Sequence, residues 1–336
     1  MAEIVLVEAC SHSPFLFLKP EQWNQVRAAR PPAPRNPQMT EEDNLLQHAR
    51  CMAAFEELRK RLEEAKPDVL VVFGDDQVEQ FDFNNFPSFA IYVGEEYEGY
   101  RTLARQGIVP GTTRDWAPKT KESWVTVKGH PEFAKELLLG LSRNDFDVAF
   151  MMDLPNKEHG MGHAFMRPLH YMRPKFDVPV VPVFVNCYYG PQPTALRCYR
   201  FGKAIREIIE GSPLDLRVAV LGSGGLWHTP GMPDSWIDEE FDQATLAAVR
   251  SGDAKAMADH FDAAGVTPPP EYADPKKARW VDGGTGMYAG IGGGTGETRN
   301  WIVAAAVADG TPGTVVDYVP VYASPCGMGF AYWDMS

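Results

Sequence analysis

The feature that most constrains the fold is a series of short apolar runs rich in β-branched residues: Ile4 to Val7, Val69 to Phe73, Val148 to Met152, Val180 to Val185, Val218 to Leu221 and Val315 to Val321. Bounded by Gly, Pro and Asp, runs of this length suit buried strands better than helices. Pro182, inside the fourth run, lacks a ladder N–H and predicts an edge position or a bulge there. Helical period fills the gaps. The clearest helix opens at Thr40-Glu-Glu-Asp43, a capping-box start, and carries Leu45, Ala49, Met52, Phe55, Leu58 and Leu62 at spacings of three and four. Another spans Thr194 to Glu210 with Leu196, Tyr199, Ile205, Ile208 and Ile209 facing one way, and a third covers Ala254 to Ala263. The alternation predicts an α/β fold: a central mixed sheet flanked by helices, with the active site at the carboxyl ends of the strands.

At 336 residues and 44% hydrophobic content the chain can bury a large core, and residues 1–336 are expected to form a single domain. The proline cluster of Ala28 to Pro37 and the polar stretch Gly94 to Lys121 read as surface excursions, with lids expected over 24–40 and 94–128. Ala264 to Lys277 is also Pro-rich but too short to mark a domain boundary. A net charge of −13 opposes binding to nucleic acid or anionic lipid, while leaving room for a small anionic aromatic held by local cations. The five cysteines, Cys10, Cys51, Cys187, Cys198 and Cys326, are odd in number and lack a CxxC pair, so reduced thiols are expected. No apolar run reaches about 18 residues and the amino terminus lacks a basic leader, which predicts a soluble cytoplasmic protein without a membrane partner. A homodimer is the default expectation.

Polar clusters follow the strand runs: His12 the first, Asp75-Asp76-Gln77 the second, Asp153 the third, Asn186 the fourth, and Gly222 to His228 the fifth. Carboxyl ends of strands in open α/β sheets share an edge and form a ligand crevice, so these residues are expected to converge. His228 sits beside Trp227 after a flexible turn, where an imidazole could be tuned for proton transfer or simply be half-buried in a Gly-rich loop. A nucleotide-binding loop fails there, because the third glycine of GxGxxG would be Trp227. His159 and His163 are four apart, but Gly160 and Gly162 weaken a helix and no Glu follows His159 as in HExxH; one of them as a proton donor suits the segment better than both as ligands. Asp75 to Glu79 reads equally as a solvated acidic turn. Glu297 opens an apolar helix, where it could hold a metal or simply complement the helix dipole.

Read in order, these segments resemble the class III extradiol dioxygenases, typified by the catalytic beta subunit of protocatechuate 4,5-dioxygenase. The resemblance runs from Ser11-His12-Ser13-Pro14 through Val185-Asn-Cys-Tyr-Tyr-Gly-Pro-Gln-Pro-Thr-Ala-Leu-Arg-Cys-Tyr199 and Gly224-Gly-Leu-Trp-His228 to Gly296-Glu297-Thr-Arg-Asn-Trp301. It implies Fe(II) held by two histidines and a glutamate, and the opening of an aromatic diol by O2. On that pattern His12 and Glu297 are metal ligands, His228 is the catalytic acid/base, and His163 is the second catalytic histidine. The segment that usually reads N-D-H is Asp75-Asp76-Gln77 here. Gln77 then takes the second ligand place, with Asp76, Glu79 or loss of the metal as alternatives. The pattern is similar to the 3-O-methylgallate dioxygenase type, implying a catechol or gallate-like substrate; Arg167 and Arg299 are candidates to hold its carboxylate. Some relatives use a small companion subunit. The readings that compete are a non-catalytic scaffold with a degraded metal site and a zinc-dependent hydrolase.

Overall fold

The computed structural model describes residues 1–82, 84–189, 192–229, 235–264 and 294–335. Apart from Ala264, the Pro-rich stretch 264–277 lies outside them, as do Gly190, Pro191, Gly292 and Gly293. In chain order the elements are β1 (Glu3–Cys10), α1 (Trp23–Ala28), α2 (Glu41–Ala65), β2 (Val69–Gly74), β3 (Phe89–Tyr92), β4 (Glu96–Tyr100), β5 (Trp124–Lys128), α3 (Pro131–Arg143), β6 (Ala149–Met151), α4 (His163–Met172), β7 (Val180–Val185), α5 (Ala195–Gly211), β8 (Arg217–Ser223), α6 (Glu239–Ser251), α7 (Ala254–Ala263), α8 (Thr298–Val307), β9 (Thr314–Val321) and β10 (Cys326–Asp334). Eight strands form one mixed sheet in the order β6-β3-β7-β2-β8-β1-β10-β9, and β4 pairs with β5 separately. No helix among the described residues is long and apolar enough to cross a membrane.

Strand alternation gives the sheet two apolar faces. Val7, Val71, Phe73 and Val220 pack with Phe133 and Leu137 of α3, Phe201 and Ile205 of α5, and Trp301 and Val303 of α8. Leu6, Leu70, Val72 and Leu221 face the other way, onto Phe55, Leu58 and Leu62 of α2 and Phe165 and Leu169 of α4. Burial on both faces is why β2 and β7 read as unbroken apolar runs.

The capping box forms as the sequence predicts: Thr40 Oγ1 accepts from the Asp43 N–H at 3.1 Å, and the Asp43 carboxylate accepts from the Thr40 N–H at 2.9 Å. The buried stripe of α2 differs in its first turns. Asn44, Gln47 and Cys51 turn inward while Leu45 is 46% exposed, because Asn44 donates to Asn24 and Gln47 to the Pro320 carbonyl, each at 2.9 Å.

Pro182 lies in an interior strand, not at an edge. Leu70 N donates to the Pro179 carbonyl, so residues 179, 181 and 183 direct their backbone groups to β2 and Pro182 faces β3. Antiparallel pairing with β3 ends at Ile91↔Val183, so the missing N–H falls just beyond that register. The five cysteines are buried free thiols.

Strand direction decides which residues meet. β7, β2, β8 and β1 are mutually parallel and end at one edge, whereas β3 is antiparallel to β7 and β6 follows β3. Asp153, after β6, therefore lies at the opposite edge, exposed and paired with Lys157, and does not join the crevice.

Candidate active site

The crevice edge is built by short turns from buried strands. His12 stands two residues beyond β1, Asp75 directly follows β2, and the glycine turn from Gly224 follows β8. Glu297 arrives from across the sheet, as the last residue of a tight turn, Gly294–Glu297, that runs into α8. Two side chains of α8 lock that helix to the end of β8: Asn300 Nδ2 donates to the Ser223 carbonyl at 2.7 Å, and Trp301 Nε1 to the Gly224 carbonyl at 2.8 Å. Glu297 Oε2 in turn accepts from the Gly225 N–H at 2.9 Å.

At the centre, His12 Nε2 lies 3.4 Å from Glu297 Oε2 and 3.9 Å from Asp75 Oδ1, and Asp75 Oδ2 is 3.9 Å from His163 Nε2. One donor atom from each of His12, Asp75, His163 and Glu297 lies within 4.8 Å of the others. Donors bound about 2.1 Å from a single ion stand roughly 3 to 3.5 Å apart, so a small contraction would bring this set around one cation.

The chemistry of the donors agrees. Ser223 gives its hydroxyl proton to the Ala164 carbonyl, so it accepts from His12 Nδ1 at 2.8 Å and leaves a lone pair on Nε2. Burial pulls the His12 pKa down to about 4, so its imidazole is neutral and able to ligate. Burial and the charges of Glu297 and Glu79 push the Asp75 carboxyl well above its ordinary range, and Asp75 Oδ1 is buried without a hydrogen-bond partner among the described residues. Burial also opposes the charge on Glu297, but His228 outweighs it and holds this carboxyl well below its usual value. Crowded carboxylates with an orphaned oxygen are what a bound cation would relieve, and the residues present fit a metal ion.

The other expected residues surround this cluster. His228 Nδ1 donates to the Leu226 carbonyl at 2.9 Å, and its Nε2 stands 3.5 Å from Glu297 Oε1. Burial works against its charged form, yet Glu297 holds the His228 pKa above the ordinary imidazole value. Gln77 donates through Nε2 to the Tyr188 hydroxyl at 2.9 Å and lies 3.4 Å from His163 Nε2. Asp76 is occupied with its own loop, accepting from the N–H groups of Glu79, Gln80 and Phe81. Glu79 is turned to His163, with both oxygens 2.9 Å from Nδ1. His159 lies behind that pair, its Nε2 3.6 Å from Glu79 Oε1.

Asp75 reaches the crevice as expected but as a donor the sequence did not single out, and Tyr188 joins the site without having been singled out at all. The Tyr188 hydroxyl donates to Glu297 Oε1. Tyr188 lies in a loop shaped by Asn186, whose side-chain oxygen accepts from the N–H groups of Tyr188 and Tyr189.

A cavity of about 480 Å³ opens onto the cluster, lined among others by Arg30, Tyr100, Arg105, Trp116 and Arg167. Residues 24–40 and 94–128 thus contribute walls, and the second stretch contains the β4–β5 pair. Arg167 donates to the His12 carbonyl at 3.3 Å, while its buried Nε has no partner among the described residues. Arg299 is engaged with the Pro193 and Gly296 carbonyls and stacks on Phe261, away from the cavity lining.

The chain is similar to several dioxygenases. It is 32% identical over 225 residues to 2,3-dihydroxyphenylpropionate/2,3-dihydroxicinnamic acid 1,2-dioxygenase 2 of Pseudomonas putida, covering 66% of this chain and 58% of that protein. Gallate dioxygenase of Pseudomonas putida is 34% identical over 121 residues, 35% of this chain and 32% of the relative. The 2,3-dihydroxyphenylpropionate/2,3-dihydroxicinnamic acid 1,2-dioxygenase of Photorhabdus laumondii is 27% identical over 196 residues, 57% and 53% of the two chains. The chain thus spans between about a third and three fifths of the length of these curated relatives. The model of the catalytic LigB subunit of aromatic ring-opening dioxygenase matches residues 31–274, a stretch flanked by His12 on one side and Glu297 on the other. With well over half of its length so matched, the chain belongs to the LigB family.

Proposed function

We propose that this protein opens an aromatic ring beside its diol with Fe(II) and O2, taking a catechol or gallate-like substrate, with a 3-O-methylgallate-like ring as the leading choice. The observation that carries the reading is the meeting of His12, His163, His228 and Glu297 at the floor of one cavity. Imidazole and carboxylate donors gathered on one side of an ion, with open positions on the other, suit a non-haem ferrous centre. His12 and Glu297 would hold the ion, with a third donor from Gln77 or His163. Bound ferrous iron supplies a chelation point for the two ring oxygens and a path for electrons between diol and dioxygen.

The proton chemistry falls to the chain. Because a carbonyl only accepts, Leu226 fixes the proton on His228 Nδ1 and leaves Nε2 free to take a hydroxyl proton from the incoming diol and return it later. Tyr188 steadies Glu297 through its hydroxyl and so sets the angle of that carboxylate. Arg167, which lines the cavity, would receive the carboxylate of a substituted ring. Tyr100 and Trp116, stacked with ring centroids 6.2 Å apart, offer a flat apolar wall to an aromatic guest. We read the stretches 24–40 and 94–128 as lids that keep water from the ring.

The test is anaerobic reconstitution with Fe(II), followed by oxygen uptake with a panel of catechols and gallate derivatives. Substrate-dependent uptake with a yellow ring-opened product is expected. Iron binding without oxygen uptake across the panel would replace this reading with a non-catalytic binding protein.

A further inference from the structure

Resting on the metal-centred reading above, we propose that His163, the first residue of α4, supplies the second imidazole of the metal site in place of the histidine that the chain lacks at position 77. The donor moves from the loop after β2 to the amino terminus of a helix, and the site regains two histidines and a carboxylate: His12, His163 and Glu297.

Three observations support this assignment. The first is the state of the ring. Both oxygens of Glu79 lie 2.9 Å from His163 Nδ1, and Oε1 also accepts the His163 backbone N–H at 3.0 Å. An ionised carboxylate can only accept, so a ring with a single proton carries it on Nδ1 and keeps its lone pair on Nε2. The second is direction. That Nε2 lies 3.9 Å from Asp75 Oδ2, on the side of the ring facing the cluster, and the His12 and His163 rings meet edge to face with centroids 4.7 Å apart. The third is the support behind the ring. A Cβ on Gly162 would lie 2.5 Å from Glu79 Oε2, so the carboxylate rests against bare backbone in a place no larger residue could leave to it. A histidine whose far nitrogen is gripped by a carboxylate is the usual arrangement behind a metal-bound imidazole, because it fixes the ring and raises its basicity.

Gln77 has a different task. It is an exposed residue whose amide nitrogen donates to Tyr188, the residue that steadies Glu297. An amide oxygen is also a weaker donor than imidazole for a transition metal. Gln77 therefore stands outside the ligand set. A role for neutral His163 as proton donor would need the proton on Nε2, opposite to the tautomer that Glu79 selects.

The experiment is an anaerobic titration with Co(II), read from its visible absorption bands, on the wild type and on His163→Ala, Gln77→Ala and Glu79→Gln, with thermal melts of the apo-proteins to verify folding. Loss of the outer partner in Glu79→Gln is expected to weaken binding ~10–100-fold, His163→Ala to weaken it further still, and Gln77→Ala to change it by less than about threefold. Added imidazole should restore affinity to His163→Gly, which keeps the test decisive if His163→Ala folds poorly. The electron paramagnetic resonance spectrum of the ferrous nitrosyl form with 15N-labelled histidine should show two coupled nitrogens in the wild type and one in His163→Ala. Unchanged Co(II) affinity in a folded His163→Ala, or a loss confined to Gln77→Ala, would overturn the assignment. Metal loss in His163→Ala without oxygen uptake by the wild type on any diol would retain this assignment and discard the ring-opening reading. Turnover by the wild type with undiminished metal affinity in His163→Ala would do the reverse.

Discussion

His12 Nε2 lies 3.4 Å from Glu297 Oε2, bringing the turn after the first strand against the entry to the last helix. Each residue is buried and each is held from behind, His12 by Ser223 and Glu297 by the Gly225 N–H. His12→Ala and Glu297→Gln are each expected to weaken Fe(II) or Co(II) binding by more than ~100-fold, beyond the cost of losing an outer partner. Anaerobic titration checks this, and an apo-protein melt close to that of the wild type would separate ligand loss from unfolding.

His228 should separate chemistry from metal binding. His228→Ala is expected to retain the ion while oxygen uptake falls by about 10²–10⁴, the span typical of a lost general acid/base. Gly294→Ala should mimic it without touching the imidazole, because a Cβ at Gly294 would lie 1.4 Å from His228 Nε2 and must drive the ring aside. Steady-state rates at saturating iron report both, and a His228→Ala enzyme as fast as the wild type would remove the residue from the mechanism.

Arg167 should discriminate among substrates. Arg167→Met is expected to raise KM for a carboxylated diol roughly 10- to 100-fold, the equivalent of losing one hydrogen-bonded charge, while leaving uncharged catechol little changed. Equal losses on both substrates would instead assign Arg167 to holding the His12 loop through its bond to the His12 carbonyl.

Acid sensitivity should have an identifiable contribution from His170. Burial, reinforced by the charge of Arg101, pulls its pKa down to about 4, and Nδ1 accepts from Arg101 Nε at 3.2 Å. Between the ordinary imidazole pKa of about 6.5 and pH 4 the unfolded chain takes up a proton that the folded chain refuses, so stability is full above that window and falls as pH drops through it. His170→Gln keeps an acceptor for Arg101 and removes the titration. The Tm of this variant should decline less steeply than that of the wild type from pH 7 to 4.5; parallel curves would contradict the assignment.

Much of this arrangement is legible in the sequence because burial writes itself into composition. β2 and β7 are apolar throughout since both faces of each are covered, and the residues just past β1, β2 and β8 could be placed on one edge without further information. Direction is what the pattern does not carry. The three-residue β6 looks the same whichever way it runs, so Asp153 was expected on the crevice edge and lies on the other. β10 escaped because Gly327 and Gly329 interrupt its apolar pattern. Within Asp75-Asp76 the two side chains have identical chemistry, and only the fold turns one toward His12 and gives the other three backbone N–H donors. The Glu79 and His163 pair joins residues far apart in sequence, beyond the reach of any local spacing rule.

The Ser223 hydroxyl accepts from His12 and donates to the carbonyl of Ala164, the residue after His163. Two loops that approach the cavity from different strands therefore share one pivot at the end of β8. A shift in the first turn of α4 would be passed to the His12 ring through a single oxygen, so the two imidazoles cannot be adjusted independently. Replacing Ser223 with alanine would give each ring its own slack, and spread in the geometry of bound metal, rather than its simple loss, would be the signature.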